Sequence, residues 1–466
     1  MAIEKLRRAD LSKAEHAGRL AVLGPRRERL AIVSTYDKLC GIAAYTRALE
    51  RHLDGIFDIT VFDLDQDLLR SRHRRVSQLA DRHIKEICVA LSDFDAVNLQ
   101  LEFGILGATP RDIYRRLSWL AAAAPRLSVT FHTVRRSMGF PYGDFLRRIG
   151  GLKFRIASDI VAAFRRSRRL STGVARMLGR LQRLKPINII VHNRRDAADF
   201  RHVYGFERVF DHPLAFLSVE DAETSVAGAS RRRFPLLDKL PSEAVLVGVF
   251  GFINDYKGFG TAVRALYHLP KTYHLLIFGG IHPNEIAPHQ VIHPYVMSLL
   301  NDAHVDARPG AADERRPSGG RFAVDPRDLS ARLHFMGTPE DDDFLAGMAI
   351  CDAVVFPYIE VGQSASGPIS QALELGRRII ASRTRTFLEF AAYHPRTVEF
   401  FDIGNHLELA DRILARPQYG AVRERPRYSV ETNKALYLAA NSAPSVEAPR
   451  FRRRAKQPLA QEREAG

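Results

Sequence analysis

Short runs of apolar and often β-branched residues recur along this chain, and amphipathic stretches separate them. The runs in the first half are residues 30–35, 57–62, 96–101, 127–133, 187–193 and 209–214. Continuous apolar runs of this length are typical of strands that are buried on both faces of a parallel sheet. The stretch after the first run places Ile42, Tyr45, Leu49 and Leu53 at helical spacing. This alternation predicts parallel strands that are connected by helices.

A second series of the same kind has its apolar runs at residues 245–252, 274–280, 333–337, 353–356 and 379–381. The two series predict an α/β protein with two Rossmann-like domains that face each other across a central cleft. The length of 466 residues also fits two domains better than one core. The predicted segments are a charged N-terminal leader (1–28), an N-terminal domain (29–217), a polar linker (218–241), a C-terminal domain (242–415), a helix that returns to the N-terminal domain (416–441) and a disordered basic tail (442–466).

The stretch from Cys351 to Ser382 carries a ligand-binding pattern. A strand at residues 353–356 is followed by the small-residue loop 362–367, and Pro368 suits the first turn of the next helix. The first N–H groups of a helix have no partner within it, so they can bind an anionic ligand at the carboxyl end of the preceding strand. An ordinary strand–turn–helix connection explains the same pattern equally well.

Other residues that could bind a ligand also follow predicted strands. Gly41, Glu102 and His132 follow strands of the first series, whereas Asn254 and Lys257 follow the first strand of the second series. The carboxyl ends of parallel strands meet at one edge of a sheet, so these residues are expected at the cleft. Glycine allows a ligand to approach closely, and lysine can neutralise a diphosphate. Four of these residues also have a structural explanation: Gly41 as a turn glycine, Glu102 as a capping or salt-bridged residue, His132 as a satisfied histidine and Lys257 as a surface lysine.

Composition limits the environment and the partners. The net charge is +16 and the pI is about 10.0, so an anionic partner is expected: nucleic acid, anionic lipid or a nucleotide diphosphate. Cys40, Cys88 and Cys351 have no metal-binding spacing and are expected to be reduced thiols. The sequence has no apolar run that could span a bilayer and no signal-peptide core, which predicts a cytoplasmic protein.

The most basic part of the chain is residues 135–185, which contain many Arg and Lys residues but only Asp144 and Asp159 as acids. Apolar residues recur there at helical spacing, which predicts a basic helical insertion. Such helices either lie peripherally on an anionic membrane surface, here the inner face, or present an ordinary solvated face. No aromatic stacking platform, helix-turn-helix or RNA-binding signature is present, so nucleic acid is not expected as a partner.

Two segments resemble a known family. The run PYIEVGQSASGPISQALELGRRIIAS is similar to the C-terminal-domain signature of retaining GT-B glycosyltransferases of family 4, and CGIAAYTRAL resembles the first-loop motif of that family. The signature has two acidic positions, which are Gln363 and Gln371 in this chain. The family's Lys-Gly pair is kept at Lys257, but Phe252 replaces the basic residue that usually precedes it.

The resemblance implies a metal-independent, retaining transferase that needs no cofactor. It would move a sugar from a nucleotide diphosphate sugar to a glycan or lipid-linked acceptor in polysaccharide biosynthesis. The implied catalytic residues are His132 and Lys257, and Glu102 would lie on the side of the sugar acceptor. The implied donor-binding residues are Gly41, Asn254, Gln363, Ser364, Ala365, Ser366, Gly367 and Gln371. No metal ligands are implied.

Two other function classes stay open at this point. A binding or scaffold protein could keep the fold and lack turnover, and the substitutions at Gln363, Gln371 and Phe252 favour this alternative. A basic adaptor for nucleic acid or membranes would bind polyanions in a salt-sensitive way and would have no affinity for nucleotide sugars.

Overall fold

A computed structural model describes residues 26–38, 40–136, 139–151, 153–282, 285–286, 289, 291–304, 329–419 and 427–442. Two parallel sheets of six strands each organise these residues, and helices flank both sheets. This arrangement confirms the predicted α/β architecture with two Rossmann-like halves.

The N-terminal sheet has the strand order β2-β1-β3-β4-β5-β6, and all its strands are parallel. The strands are β1 (Arg29–Ser34), β2 (Asp58–Asp63), β3 (Ala96–Leu101), β4 (Leu127–Phe131), β5 (Ile187–Val191) and β6 (Arg208–Asp211). Every residue of β3, β4 and β5 is buried, because helices cover both faces of the sheet centre.

The C-terminal sheet has the order β12-β11-β10-β7-β8-β9 and is also parallel throughout. Its strands are β7 (Val245–Phe250), β8 (Tyr273–Phe278), β9 (Leu333–Gly337), β10 (Ala353–Phe356), β11 (Ile379–Ser382) and β12 (Val398–Phe401). The order reverses between β7 and β10, and in the N-terminal sheet it reverses between β1 and β3. Ligands of open α/β sheets bind at such reversals.

Helices connect the strands. Their bounds are Gly41–Leu53, Gln66–Leu69, Arg74–Ala90, Pro110–Ala123, Tyr142–Gly150, Phe154–Arg168, Val174–Leu181, Arg194–Ala198, Val219–Ala227, Pro235–Asp238, Phe259–Leu266, Pro294–His304, Asp341–Ala349, Gly367–Glu374, Arg385–Tyr393, His406–Leu414 and Val430–Asn441. Within the part of the chain that the structure describes, no helix is both long and apolar enough to cross a bilayer.

Each sheet and its flanking helices form one lobe of the molecule, N-terminal or C-terminal. Residues 218–241, the predicted linker, contain the helices Val219–Ala227 and Pro235–Asp238. Ser218 and Asp221 form a capping box at the start of Val219–Ala227, and Leu237 is buried in the core. This connection is therefore packed against the lobes.

The last described helix, Val430–Asn441, lies on the N-terminal sheet, which it contacts at β3, β4 and β5. The strands below it carry buried polar side chains that need partners. Tyr437 Oη lies 3.0 Å from Thr130 Oγ1, and Ser128 Oγ donates to Asn441 Oδ1 (2.6 Å). The polar side chains of the sheet centre thus specify where this helix docks. The predicted tail and most of the predicted leader lie outside the described residues.

The basic insertion forms two exposed helices, Tyr142–Gly150 and Phe154–Arg168, which precede Val174–Leu181. The first contains no buried residue and the second buries only Ala157. Apolar side chains on both helices are consequently left in contact with solvent.

Candidate functional site

A cavity of about 390 Å³ lies between the two lobes, at the strand-order reversals of both sheets. Among the residues that line it are most of those singled out in the sequence: Gly41, Glu102, His132, Lys257, Gln363, Ala365, Ser366, Gly367 and Gln371. Parallel strands bring these residues together because each one follows the carboxyl end of a strand.

Lys257 lies in a 3₁₀ turn (Asp255–Lys257) that follows β7, and its side chain is buried. Gly258, the next residue, has φ +63°, and a Cβ there would lie 2.0 Å from the carbonyl oxygen of Pro357. Only glycine fits this turn. The ammonium group of Lys257 donates a hydrogen bond to Tyr358 Oη, and no carboxylate among the described residues pairs with it. Burial lowers the pKa of Lys257 below its ordinary value.

The helix Gly367–Glu374 begins at the other side of Tyr358. Ser366 is its N-cap residue, but no side chain caps the helix, because Ser366 Oγ lies 3.2 Å from Tyr358 Oη. The first N–H groups of the helix therefore keep their binding capacity next to the ammonium group of Lys257. This end of the cavity combines a positive charge with oriented N–H donors.

The amide Gln363 extends the site along the loop 362–367. Its backbone carbonyl accepts a hydrogen bond from Thr386 Oγ1 (2.6 Å), which fixes the loop locally. Its side-chain Oε1 is buried and has no hydrogen-bond partner among the described residues. A buried acceptor without a partner is costly, and a ligand hydroxyl would satisfy it.

His132 follows β4 and faces the cavity from the N-terminal lobe. Its Nε2 donates to Gln100 Oε1 (2.7 Å), and Gln100 Nε2 donates in turn to Asn98 Oδ1 (2.5 Å). Burial, and secondarily the charge of His192, lower the pKa of His132 well below its ordinary value. A neutral His132 with its proton on Nε2 keeps Nδ1 as a hydrogen-bond acceptor.

Gly41 and Glu102 complete the N-terminal side. Gly41 begins the helix Gly41–Leu53, where Cys40 Sγ accepts from the N–H of Ala43 (3.4 Å). Glu102 lines the cavity and also accepts from the N–H of Phe103 (3.0 Å), so it has both the cleft position and the capping role considered for it. Burial raises the pKa of Glu102, although its hydrogen bonds oppose the shift.

Two predicted donor-binding residues do not line the cavity. Asn254 Nδ2 donates to Glu285 Oε1 (2.8 Å), and its Oδ1 accepts from the N–H of Tyr256 (3.3 Å). Ser364 is buried behind the loop and donates to Asp196 Oδ2 (2.8 Å). Both side chains therefore serve the protein's own backbone and side chains.

The structure adds lining residues that the sequence did not single out as site residues. Arg47 and Asp341 form an ion pair from lobe to lobe (2.8 Å), and Phe252 contacts His282 at a ring-centroid distance of 4.7 Å. Phe252 stands at the position where the resembled family pattern would place a basic residue. Among the described residues, no group of three His, Cys, Asp or Glu side chains could hold a metal ion.

Comparison with known proteins shows the fold. Similar solved structures include a UDP-forming α,α-trehalose-phosphate synthase from Burkholderia xenovorans (TM-score 0.55, 11% identity, 89% of this chain and 98% of that chain). HepE from Anabaena, in complex with UDP and glucose, gives a TM-score of 0.53 at 13% identity over 88% of this chain and 98% of that chain. The sucrose-phosphate synthase from Thermosynechococcus elongatus gives 0.52 at 14% over 89% and 95%.

No protein-family model matches the sequence, and no curated protein matches it. The structural likeness establishes that the chain has the GT-B fold, which confirms the fold expected from its motifs.

Proposed function

We propose that this protein is a retaining glycosyltransferase. It transfers a sugar from a nucleotide diphosphate sugar to a glycan or lipid-linked acceptor in polysaccharide biosynthesis. The trehalose-phosphate synthase is named as UDP-forming and HepE was solved with UDP and with UDP-glucose, which supports a nucleotide sugar as the donor.

The observation that carries this proposal is the charge of Lys257. Its ammonium group is buried, has no carboxylate partner among the described residues and lies beside the uncapped start of the helix Gly367–Glu374. A buried cation without a counter-ion is costly, so a site of this kind favours an anionic ligand. A diphosphate supplies that charge, and its negative charge increases as the bond to the sugar breaks.

The remaining lining residues fit the parts of such a donor. Gln363 Oε1, which has no partner among the described residues, is proposed to accept from a sugar hydroxyl. Gln371 is proposed to approach the ribose, and His132 to accept from the sugar through Nδ1. Both Gly41 and Glu102 line the cavity. Gly41 is proposed to lie beside the donor phosphates and the acceptor, and Glu102 on the acceptor side. The reaction is proposed to proceed without a metal ion, because Lys257 and the helix start supply the positive potential at the leaving group.

A second candidate is a GT-B-fold protein that binds nucleotides without turnover. Two observations favour it: the amides Gln363 and Gln371 stand at the family's acidic positions, and the uncharged pair of Phe252 with His282 stands at a basic position. The cavity would then bind a nucleotide, but it would lack part of the positive electrostatic potential that stabilises the leaving diphosphate.

Isothermal titration with UDP and GDP, followed by hydrolysis assays over a panel of nucleotide sugars, separates the two candidates. Binding of one nucleotide together with slow hydrolysis of its sugar donor supports the transferase. Binding without hydrolysis of any donor supports the second candidate. Absence of nucleotide binding would overturn both.

We further propose that the protein acts on the cytoplasmic side of a membrane, with the exposed helices Tyr142–Gly150 and Phe154–Arg168 on the lipid surface. Tyr142, Leu146, Phe154 and Ile156 are 43% to 69% exposed, and the last turns of both helices are rich in arginine. Apolar insertion combined with basic charge favours anionic lipid. Both helices follow β4 and His132 along the chain, and a lipid-linked acceptor is proposed to reach the cavity from the membrane on which they lie.

A further inference from the structure

The loop 362–367 depends on the N-terminal lobe for much of its support. Ser364 Oγ donates to Asp196 Oδ2 (2.8 Å) and accepts from the N–H of Val134 (3.0 Å). The carbonyl of Ser364 accepts from Asn193 Nδ2 (3.0 Å). The hydroxyl and the carbonyl of this one residue thus have all their partners on the opposite lobe.

Asp196 is held in place for this contact. It lies in the short helix Arg194–Ala198 after β5, where Asn193 Oδ1 accepts from the N–H of Asp196 (2.7 Å). Asn193 Nδ2 donates to the same Oδ2 that Ser364 contacts (2.7 Å). Asp196 is 1% exposed and Ser364 is 3% exposed, so water does not compete for the bond.

The second carboxylate oxygen of Asp196, Oδ1, lies near two arginine side chains. This oxygen is buried and has no hydrogen bond among the described residues, but Arg136 Nη2 and Arg195 Nε each lie 3.6 Å away. These guanidinium groups offset the buried negative charge without replacing Ser364 as a hydrogen-bond partner. The carboxylate is therefore available for the loop of the other lobe.

The bonds of Ser364 connect two parts of the cavity wall. Val134 lies two residues after His132, and Ser364 lies between Gln363 and Ala365, which both line the cavity. A shift of Ser364 would move the neighbouring side chain of Gln363, with its buried Oε1, and the start of the helix that follows Ser366. The separation of the lobes would break these bonds together.

We propose that Asp196 is a positioning residue for the donor loop. Through Ser364 it holds residues 362–367 in the shape that presents Gln363 and the start of Gly367–Glu374 to the cavity, and it does so only when the lobes are together. Asp196 does not line the cavity, so it is proposed to act through Ser364 and not by contact with a ligand. The identity of that ligand as a nucleotide sugar rests on the proposed function, whereas the support of the loop does not.

The test compares Asp196→Ala, Ser364→Ala and the double variant with the wild-type protein. Hydrogen–deuterium exchange of residues 362–367 measures the loop without any ligand, and calorimetry with UDP measures its effect on binding. We expect roughly tenfold faster exchange and roughly tenfold weaker UDP binding in each single variant. The double variant should lose less than the sum of the two single effects, because the bond between Asp196 and Ser364 is removed in both single variants.

Asp211→Ala is the matched control. Tyr393 donates to Asp211 Oδ2 (2.8 Å), which is another carboxylate–hydroxyl bond between the lobes but involves no residue of the loop 362–367. This variant should leave exchange of residues 362–367 unchanged. Ser364→Ala covers the case in which Asp196→Ala unfolds the short helix, because Ser364 lies outside that helix.

Three results would overturn the proposal: unchanged exchange of residues 362–367 in Ser364→Ala, additive effects in the double variant, or exchange of these residues that is as fast in Asp211→Ala as in Asp196→Ala. If the wild-type protein binds no nucleotide, the proposed function fails, but the exchange measurement still decides the role of Asp196. The two failures are therefore distinguishable.

Discussion

Lys257 and Ser366 meet at the hydroxyl group of Tyr358. The ammonium group donates to this hydroxyl, and Ser366 Oγ lies 3.2 Å from it. Lys257 follows β7 and Ser366 follows β10, the two neighbouring strands at which the order of the C-terminal sheet reverses. Since Lys257 contacts the hydroxyl of Tyr358 and no carboxylate among the described residues, its positive charge can interact with an anionic ligand.

Replacement of Lys257 should separate ligand binding from stability. Lys257→Met keeps the apolar stem but removes the charge, so UDP affinity should fall by about tenfold to a hundredfold. The melting temperature should not fall, because the variant no longer buries an unpaired cation. Calorimetry and thermal unfolding measure the two quantities. Lys434→Met, which removes an exposed ion pair with Glu431, is the control. A variant that binds UDP normally would contradict the assignment of Lys257.

Replacement of Gln363 should weaken the binding of nucleotide sugars but not of free nucleotides. Gln363→Leu removes the buried side-chain oxygen Oε1, which has no partner among the described residues. Without a ligand, the variant should therefore be at least as stable as the wild type. The variant should bind a nucleotide sugar no more tightly than the free nucleotide, because the contact to the sugar is lost. Competition titrations with both ligands measure this difference. An unchanged preference for the nucleotide sugar would show that Gln363 does not contact the sugar.

His132 should contribute to turnover as a neutral group. His132→Ala should lower kcat by about twofold to tenfold through loss of one hydrogen bond to the sugar, and UDP affinity should stay the same. The pKa of His132 is already well below its ordinary value. Turnover should therefore show no loss from His132 protonation as the pH falls from about 7.5 to 6. His73→Ala, at an exposed position, is the control.

The stability of the protein should depend on pH through Glu374. Burial raises the pKa of Glu374 from 4.5 to about 8, although the N–H groups of Phe216 and Leu217 oppose the shift. The folded state holds this proton at pH values where the unfolded state has lost it. The contribution of Glu374 to the free energy of unfolding is therefore complete below pH 4.5 and is lost as the pH rises to about 8.

Melting temperatures at pH 6.5 to 8.5 test this sign, with Glu374→Gln as the variant that cannot ionise. The wild type should lose stability across this range and the variant should lose less. Buried histidines such as His192, whose pKa is lowered to about 4, act in the opposite direction but mainly below pH 6.5. Parallel curves for the two proteins would contradict the role of Glu374.

The exposed helices should bind anionic membranes. Vesicles that contain phosphatidylglycerol should sediment the wild-type protein, and salt should weaken this binding because charge contributes to it. Leu146→Gln with Phe154→Gln should reduce the bound fraction severalfold, whereas Val89→Gln, at a still more exposed position on another helix, should not. Equal binding of all variants would place the lipid contact elsewhere.

Part of this protein could be predicted from local sequence. Apolar runs such as 96–101 and 353–356 indicated buried parallel strands, and the residues after them indicated the cleft. Lys257, His132 and Ser366 line the cavity because the position of a strand end in a parallel sheet follows from the strand itself. Local pattern therefore determined the two sheets and most of the cavity wall.

The tertiary structure alone decided which polar atoms are left for a ligand. Ser364 bonds to Asp196 across 168 positions of sequence, and Asn254 turns towards Glu285, so neither side chain lines the cavity. Tyr358 lies between Lys257 and Ser366 only because β7 and β10 are neighbours in the sheet. The sequence determines which groups lie at the cleft. Their hydrogen-bond partners depend on how the two lobes dock, and a local sequence pattern contains no information about that docking.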